Sequence, residues 1–271
     1  MSACYKDTRQ GTLENIENWL VSDDSELIFW LFGPPGSGKT AIAKSVSSYV
    51  QKRGILAATF FFSVRIGQGC SDGTLLFPTL AYQLASFDSS FKSTLCLALK
   101  RDPDLARRSI DVQFRRLFVQ PLLSMRRTEI PLVIVLDGLD ECVDHGLMQD
   151  ILRTITSSVS NLHGRVKLFV TSRPEWHITR ILKHEEGNHV LPYNLQEMES
   201  GQATRDITVY LQNSLHDIAQ RRNWGLSWPS EDELTALITA ADGLFIYATT
   251  LVRFADRARM EPHDILRILV G

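Results

Sequence analysis

A chain of 271 residues, 44% of them hydrophobic, can bury a sizeable core and has room for one large domain or two modest ones, which excludes a disordered chain. Its 29 Lys and Arg stand against 31 Asp and Glu, a net charge of -2, so a nucleic-acid partner has no global electrostatic support. The Arg pairs at 107–108, 115–116, 126–127 and 221–222 are the local concentrations of positive charge and read as solvated helix faces.

Cys4, Cys70, Cys96 and Cys142 show no C-x-x-C spacing and no pairing with histidines at metal-ligand spacing. A reducing compartment and no structural zinc are expected. The N-terminus has no apolar h-region, and runs such as Leu132 to Leu136 are far too short to cross a bilayer. A soluble, cytoplasmic protein with no membrane span is expected.

Residues 1–10 form a polar arm. Leu13, Ile16, Trp19 and Leu20 then recur at helical spacing, with Thr12 as the candidate N-cap. Leu27 to Phe32 is apolar without alternation, as in a parallel strand covered on both faces. The turn Gly33-Pro34-Pro35-Gly36-Ser37-Gly38-Lys39-Thr40 follows, and from Lys39 a helix places Ile42, Val46, Tyr49 and Val50 on one stripe, ending near Gly54. Ile55 to Phe62 is a second buried strand, and residues 63–73 read as a loop. Apolar spacing from Phe77 to Leu122 gives three helices, broken at Pro103 and kinked at Pro121. Leu132 to Leu136 is the third strand, His145 to Asn161 an amphipathic helix, Val166 to Thr171 the fourth strand, residues 175–183 a short helix and His189 to Leu195 a weaker fifth strand. Strands alternating with helices imply a parallel sheet.

From about residue 196 the strands stop. Ile207, Tyr210, Leu211, Leu215 and Ile218 mark a helix, Ser230-x-x-Glu233 is a capping box opening another that ends at Asp242-Gly243, a third starts near Leu244 and a fourth covers Pro262 to Val270. The expected organisation is an arm and helix (1–22), a nucleotide-binding α/β domain (23–195) and a small all-helical module (196–271).

The turn at 33–40 fits G-x-x-x-x-G-K-[ST]. Glycines let the backbone N–H groups curl around phosphate at a helix N-terminus, Lys39 reaches the β- and γ-phosphates and the Thr40 hydroxyl holds Mg2+. Leu132 to Leu136 ends in Asp137-Gly138-Leu139-Asp140-Glu141. Asp137 is placed to bind the ion, and either Asp140 or Glu141 to polarise the attacking water. In Leu168-Phe169-Val170-Thr171-Ser172-Arg173-Pro174, a strand between the other two brings Arg173 toward the γ-phosphate or, alternatively, into an ion pair with a nearby carboxylate. The chemistry expected is slow nucleoside triphosphate hydrolysis; a non-hydrolysing nucleotide-binding scaffold is the alternative. A P-loop kinase is third, for no Arg-rich lid follows Arg173.

The triad GPPGSGKT (33–40), VIVLDGLDEC (133–142) and LFVTSRPE (168–175) resembles a NACHT domain, the nucleotide switch of STAND ATPases, and is similar in particular to fungal NOD-like receptors. Thr8-Arg9 with Ile16 and Trp19, Phe60-Phe61-Phe62-Ser63, Leu80 to Ala85 and Gly243 to Ala248 agree. The resemblance implies an ASCE-type P-loop NTPase sheet followed by the helical module. It implies ATP or ADP with Mg2+ as ligands, GTP being the other triphosphate. It puts Thr8, Arg9, Ala41 and Phe245 beside the Gly33–Thr40 loop as nucleotide contacts. Phe245 stands where related receptors carry a base-contacting proline, so an aromatic ring replaces it and leaves the preference for adenine over guanine open. The implied mechanism is a closed ADP-bound monomer that exchanges nucleotide and self-associates, in innate-immune or cell-death signalling, within a parent protein carrying an N-terminal effector and C-terminal repeats.

Overall fold

The structure, a computed structural model, describes residues 3–22, 26–64, 68–126, 129–162, 164–184, 189–198, 201–224, 228–258, 260, 264 and 268. Five strands, β1 (Ile28–Phe32), β2 (Leu56–Phe61), β3 (Leu132–Asp137), β4 (Val166–Ser172) and β5 (Val190–Asn194), form one sheet in the order β2-β3-β4-β1-β5. Every pairing is parallel, and β4 lies between β1 and β3. The architecture is α/β, a helix-flanked parallel sheet of the P-loop NTPase kind.

Parallel strands need crossovers, and the crossover helices bury both faces of the sheet, which is why β1, β3 and β4 are buried along their whole length and mostly apolar. On one face Phe29, Leu31, Val133, Val135 and Phe169 pack against the Gln10–Val21 and Lys39–Lys52 helices. On the other, Ile28, Trp30, Ile134, Leu136, Leu168 and Val170 meet the helices between β2 and β3, the His145–Ser158 helix and the Trp176–His184 helix. The period-2 alternation of strand side chains does the sorting.

The sheet's two edges are covered differently. Beside β2, Gln83 of the Leu76–Phe87 helix donates to Thr59 O (2.8 Å) and accepts from Thr59 N (2.9 Å), occupying edge groups that would template another strand. On β5, Pro192 sits where a missing N–H costs no ladder bond.

Thr12 is not the cap of the first helix. The helix starts at Gln10, the cap position is Arg9 in a left-handed conformation (φ 59), and Thr12 lies buried inside the first turn with its hydroxyl 3.3 Å from that of Tyr193. At the other end, the Lys167 ammonium reaches up from β4 to Trp19 O and to Ser22 O (2.7 Å) and lies over the Trp19 ring. A buried cation thus satisfies carbonyls that the end of a helix leaves open. Lys167→Met fills the same volume but leaves those acceptors without it. We expect a loss of about 2 kcal/mol, read as a lower midpoint in urea with unchanged slope; an unchanged midpoint removes this role.

The expected kink at Pro121 is a π-helical segment, Phe114–Val119, joining α-helical turns at Ile110–Gln113 and Gln120–Ser124. A proline cannot donate to the carbonyl four residues back and its ring crowds it, so a widened turn just ahead accommodates both defects. The expected loop at 63–73 contains a helical turn, Gln68–Ser71. Arg108 and Arg116 pair with Asp102, and Arg221 with Asp256, so these arginines lie on solvated faces with local partners.

Beyond β5, the Gln202–Arg222, Glu231–Ala241 and Phe245–Arg257 helices enclose a separate apolar cluster that includes Ile207, Leu211, Leu237, Ala248 and Leu251. The Ser230/Glu233 capping box is formed in both directions, and Asp242 and Gly243 take the left-handed turn that ends its helix. The helix expected over Pro262–Val270 falls largely outside the described residues. Among the described residues no helix is long and apolar enough to cross a membrane.

Candidate functional site

The Gly33–Thr40 turn links the tip of β1 to the Lys39–Lys52 helix, and Gly36 (φ +78) and Gly38 (φ +98) take the left-handed conformations that curl its N–H groups into a cradle. Lys39 Nζ donates to Gly33 O and Pro34 O, both at 2.8 Å, and so spans the loop it belongs to. Burial lowers its pKa from the ordinary 10.5, and the charges of Asp140, Asp137 and Glu141 oppose that shift while Arg173 adds to it. The ammonium, beside the tip of β1, therefore feels charges from the tips of β3 and β4, because β4 lies between β1 and β3 and sets Ser172 beside Phe32.

Asp137 ends β3 and is 3% exposed. Burial raises its pKa from the ordinary 3.8, against hydrogen bonds from Thr171 and Thr40 and the Lys39 charge. The Thr171 hydroxyl donates to Asp137 Oδ1 (2.6 Å) and accepts from Gly138 N (3.0 Å), fixing the carboxylate's rotamer. Among the described residues no three His, Cys, Asp or Glu side chains gather into a metal cage. The Asp137 carboxylate with the Thr40 hydroxyl is an all-oxygen pair that suits a hard cation keeping most of its water, so the residues fit Mg2+. Ser37 Oγ, buried without a hydrogen-bond partner, is a further polar atom in the cradle. A carboxylate desolvated in this way costs stability until a cation meets it. Asp137→Asn is expected to leave the ligand-free protein melting no lower than the parent while removing any Mg2+-dependent rise in melting temperature; a retained rise takes Asp137 out of the metal site.

Asp140 and Glu141 lie on the helical turn Leu139–Glu141 just after β3. They differ in their partners. Asp140, 7% exposed, accepts from Arg173 N (2.8 Å) and stands 3.1 Å from Arg173 Nε, whereas Glu141 Oε2 accepts from the Val64 N–H at 3.2 Å. Arg173 is thus in the ion pair that was one of its two sequence readings.

Arg9 meets the loop directly, Phe245 lies against Arg9, and Thr8 turns its hydroxyl to Tyr5. Arg9 is 4% exposed, donates Nη2 to Ser37 O (2.7 Å) and its backbone N–H to Asp206 (2.8 Å), and lies over the Phe245 ring at 4.8 Å. Its positive φ is strained for a residue with a side chain, and such strain gathers at functional sites. The Thr8 hydroxyl is engaged by Tyr5 O (2.7 Å). Ala41 sits in the first turn of the Lys39–Lys52 helix. Asp206, Tyr5 and Ile246 were not singled out in the sequence. A signal existed for Asp206: it lies four residues before Tyr210, on the buried side of its helix.

A stacked imidazole pair lies at the β4 end of this cluster, His145 on His177 with centroids 4.5 Å apart. Burial lowers the His177 pKa from the ordinary 6.5, helped by His145 and opposed by Glu175 and Asp140. The unfolded chain therefore takes up this proton first, so the contribution of the neutral His177 ring is complete above about pH 6.5 and is lost as pH falls through the lowered folded value. Melting temperature is expected to decline less between pH 7 and 5 in His177→Phe than in the parent; parallel curves overturn this.

Fold and site together define an α/β protein in which the Gly33–Thr40 loop after β1 stands beside the arginine-bearing tip of β4 and the acidic tip of β3. The sequence matches the family described as Nephrocystin 3, N-terminal, over residues 8–173, more than half of the chain, and the chain belongs to that family. No curated protein matches it.

Proposed function

We propose that the chain is a nucleotide-operated switch of the NACHT kind, which binds ATP or GTP with Mg2+ in the Gly33–Thr40 loop and hydrolyses it slowly. The observation that carries this reading is the loop itself, with Gly36 and Gly38 at positive φ and Lys39 Nζ 2.8 Å from Gly33 O and Pro34 O, next to the β4 and β3 tips in the strand order. Lys39 holds the terminal phosphates, the loop's N–H groups cradle the chain of phosphates, and Asp137 with Thr40 holds the ion, which when bound neutralises charge on the phosphate oxygens. Glu141, whose carboxylate accepts from the Val64 N–H at 3.2 Å, orients and deprotonates the attacking water. Asp140 holds Arg173 at the β4 tip, from which it meets the terminal phosphate. Exchange of diphosphate for triphosphate shifts the population between arrangements of 196–271 and 23–195 and promotes self-association. The parent protein, of NOD-like receptor type, carries the effector and repeat segments and acts in the cytoplasm.

The Asp140–Arg173 pair also favours a second reading, a scaffold that signals by occupancy without turnover, because it holds one of the two candidate bases. Steady-state phosphate release separates the two. Parent activity above that of Asp140→Asn plus Glu141→Gln supports the switch, and equal rates leave the scaffold. Mass spectrometry of the nucleotide that co-purifies reports base and phosphate number, and none co-purifying or binding on addition ends both.

A further inference from the structure

A phosphate cradle uses its N–H groups, so its carbonyls must find donors elsewhere. At the apex of the Gly33–Thr40 loop they find them outside the loop. Gly36 O accepts from the Ile246 N–H at 3.2 Å, and Ser37 O accepts from Arg9. At Gly36 the approach is closer than one hydrogen bond requires, for a Cβ placed there would lie 2.4 Å from Ile246 Cγ2 and 2.9 Å from Ile246 Cβ. The Ile246 side chain thus fills the volume that any side chain at position 36 would need. Ile246 is also not a core residue of its own helix. Ala248, Leu251 and Ala255 face the apolar cluster, whereas Ile246 is 44% exposed.

We infer that Ile246 is a positioning residue of the phosphate loop. The first turn of the Phe245–Arg257 helix clamps Gly36 in the left-handed conformation that aims the cradle's N–H groups, and the helical segment is thereby part of the phosphate site. A displacement of that segment releases the loop apex, and phosphate affinity falls with it. The consequence for affinity rests on the nucleotide reading above; the clamp itself does not.

The test uses the full chain and the variants Gly36→Ala, Ile246→Ala and the double variant. Without nucleotide, amide exchange over residues 33–40 is expected to rise in Ile246→Ala, and unchanged exchange overturns the clamp. Ile246, being half-exposed, tolerates alanine without loss of the core. With Mg2+ and ATP or GTP as probes, Ile246→Ala is expected to bind about tenfold more weakly. Gly36→Ala is expected to lose more, through strain at positive φ and collision with Ile246. In the double variant the 2.4 Å collision with Cγ2 is gone and only the 2.9 Å approach to the Cβ of residue 246 remains, so Gly36→Ala should cost less than in the parent; additive losses overturn the inference. If the parent binds neither triphosphate, the nucleotide reading fails, and the exchange measurement alone decides the clamp.

Discussion

Lys39→Ala is expected to abolish triphosphate binding. The ammonium is anchored at 2.8 Å by Gly33 O and Pro34 O, so it stands across the mouth of its own loop before any ligand arrives. A preset cation loses little freedom when phosphate binds, and alanine removes both the charge and the strut. Ligand at a hundredfold over Kd stabilises a protein by about 2.7 kcal/mol, which at roughly 2–4 °C per kcal/mol for a domain of this size is a rise of roughly 5–11 °C. The parent should show that shift and Lys39→Ala none. Lys39→Arg should fail too, because a planar fork cannot replace a compact ammonium held between two carbonyls. An equal shift in Lys39→Ala would remove the lysine from the site.

The sheet and the three strand tips were legible in the sequence because each is a local pattern. A largely apolar run ending in Gly33, Asp137 or Ser172-Arg173 announces a buried parallel strand and where its tip falls within about ten residues. The capping box at Ser230 was legible for the same reason, since its two partners are three residues apart. Thr12 misled because cap preference is weaker than burial. Its hydroxyl meets Tyr193, 181 residues away, and the cap falls three residues earlier, on a strained Arg9. The contacts that surround the loop were not legible. Arg9 meets Asp206 across 197 residues, and Ile246 reaches Gly36 through a backbone carbonyl that has no sequence signature. A residue's burial hints at such contacts, but nothing local names the partner.

Glu141→Gln is expected to lower kcat by about 10^2–10^4-fold with triphosphate binding retained, and Asp140→Asn by less. The two acids are adjacent in the chain yet are held differently. Asp140 receives both the backbone N–H and the Nε of Arg173 and is almost wholly covered, so its oxygens are committed before a water could be oriented. Glu141 is bound by Val64 N–H at a longer 3.2 Å, on the loop side of the turn. A glutamine at 141 still accepts from Val64 but has no basic oxygen for a proton. An asparagine at 140 still accepts from Arg173 N and weakens only the side-chain pair. Arg173 is 45% exposed, so that pair contributes at most about 1 kcal/mol after solvent screening. Single-turnover rates with saturating nucleotide separate the chemical step from binding. If Asp140→Asn stops turnover and Glu141→Gln does not, the roles are exchanged, and Arg173 must leave Asp140 whenever the protein hydrolyses its ligand.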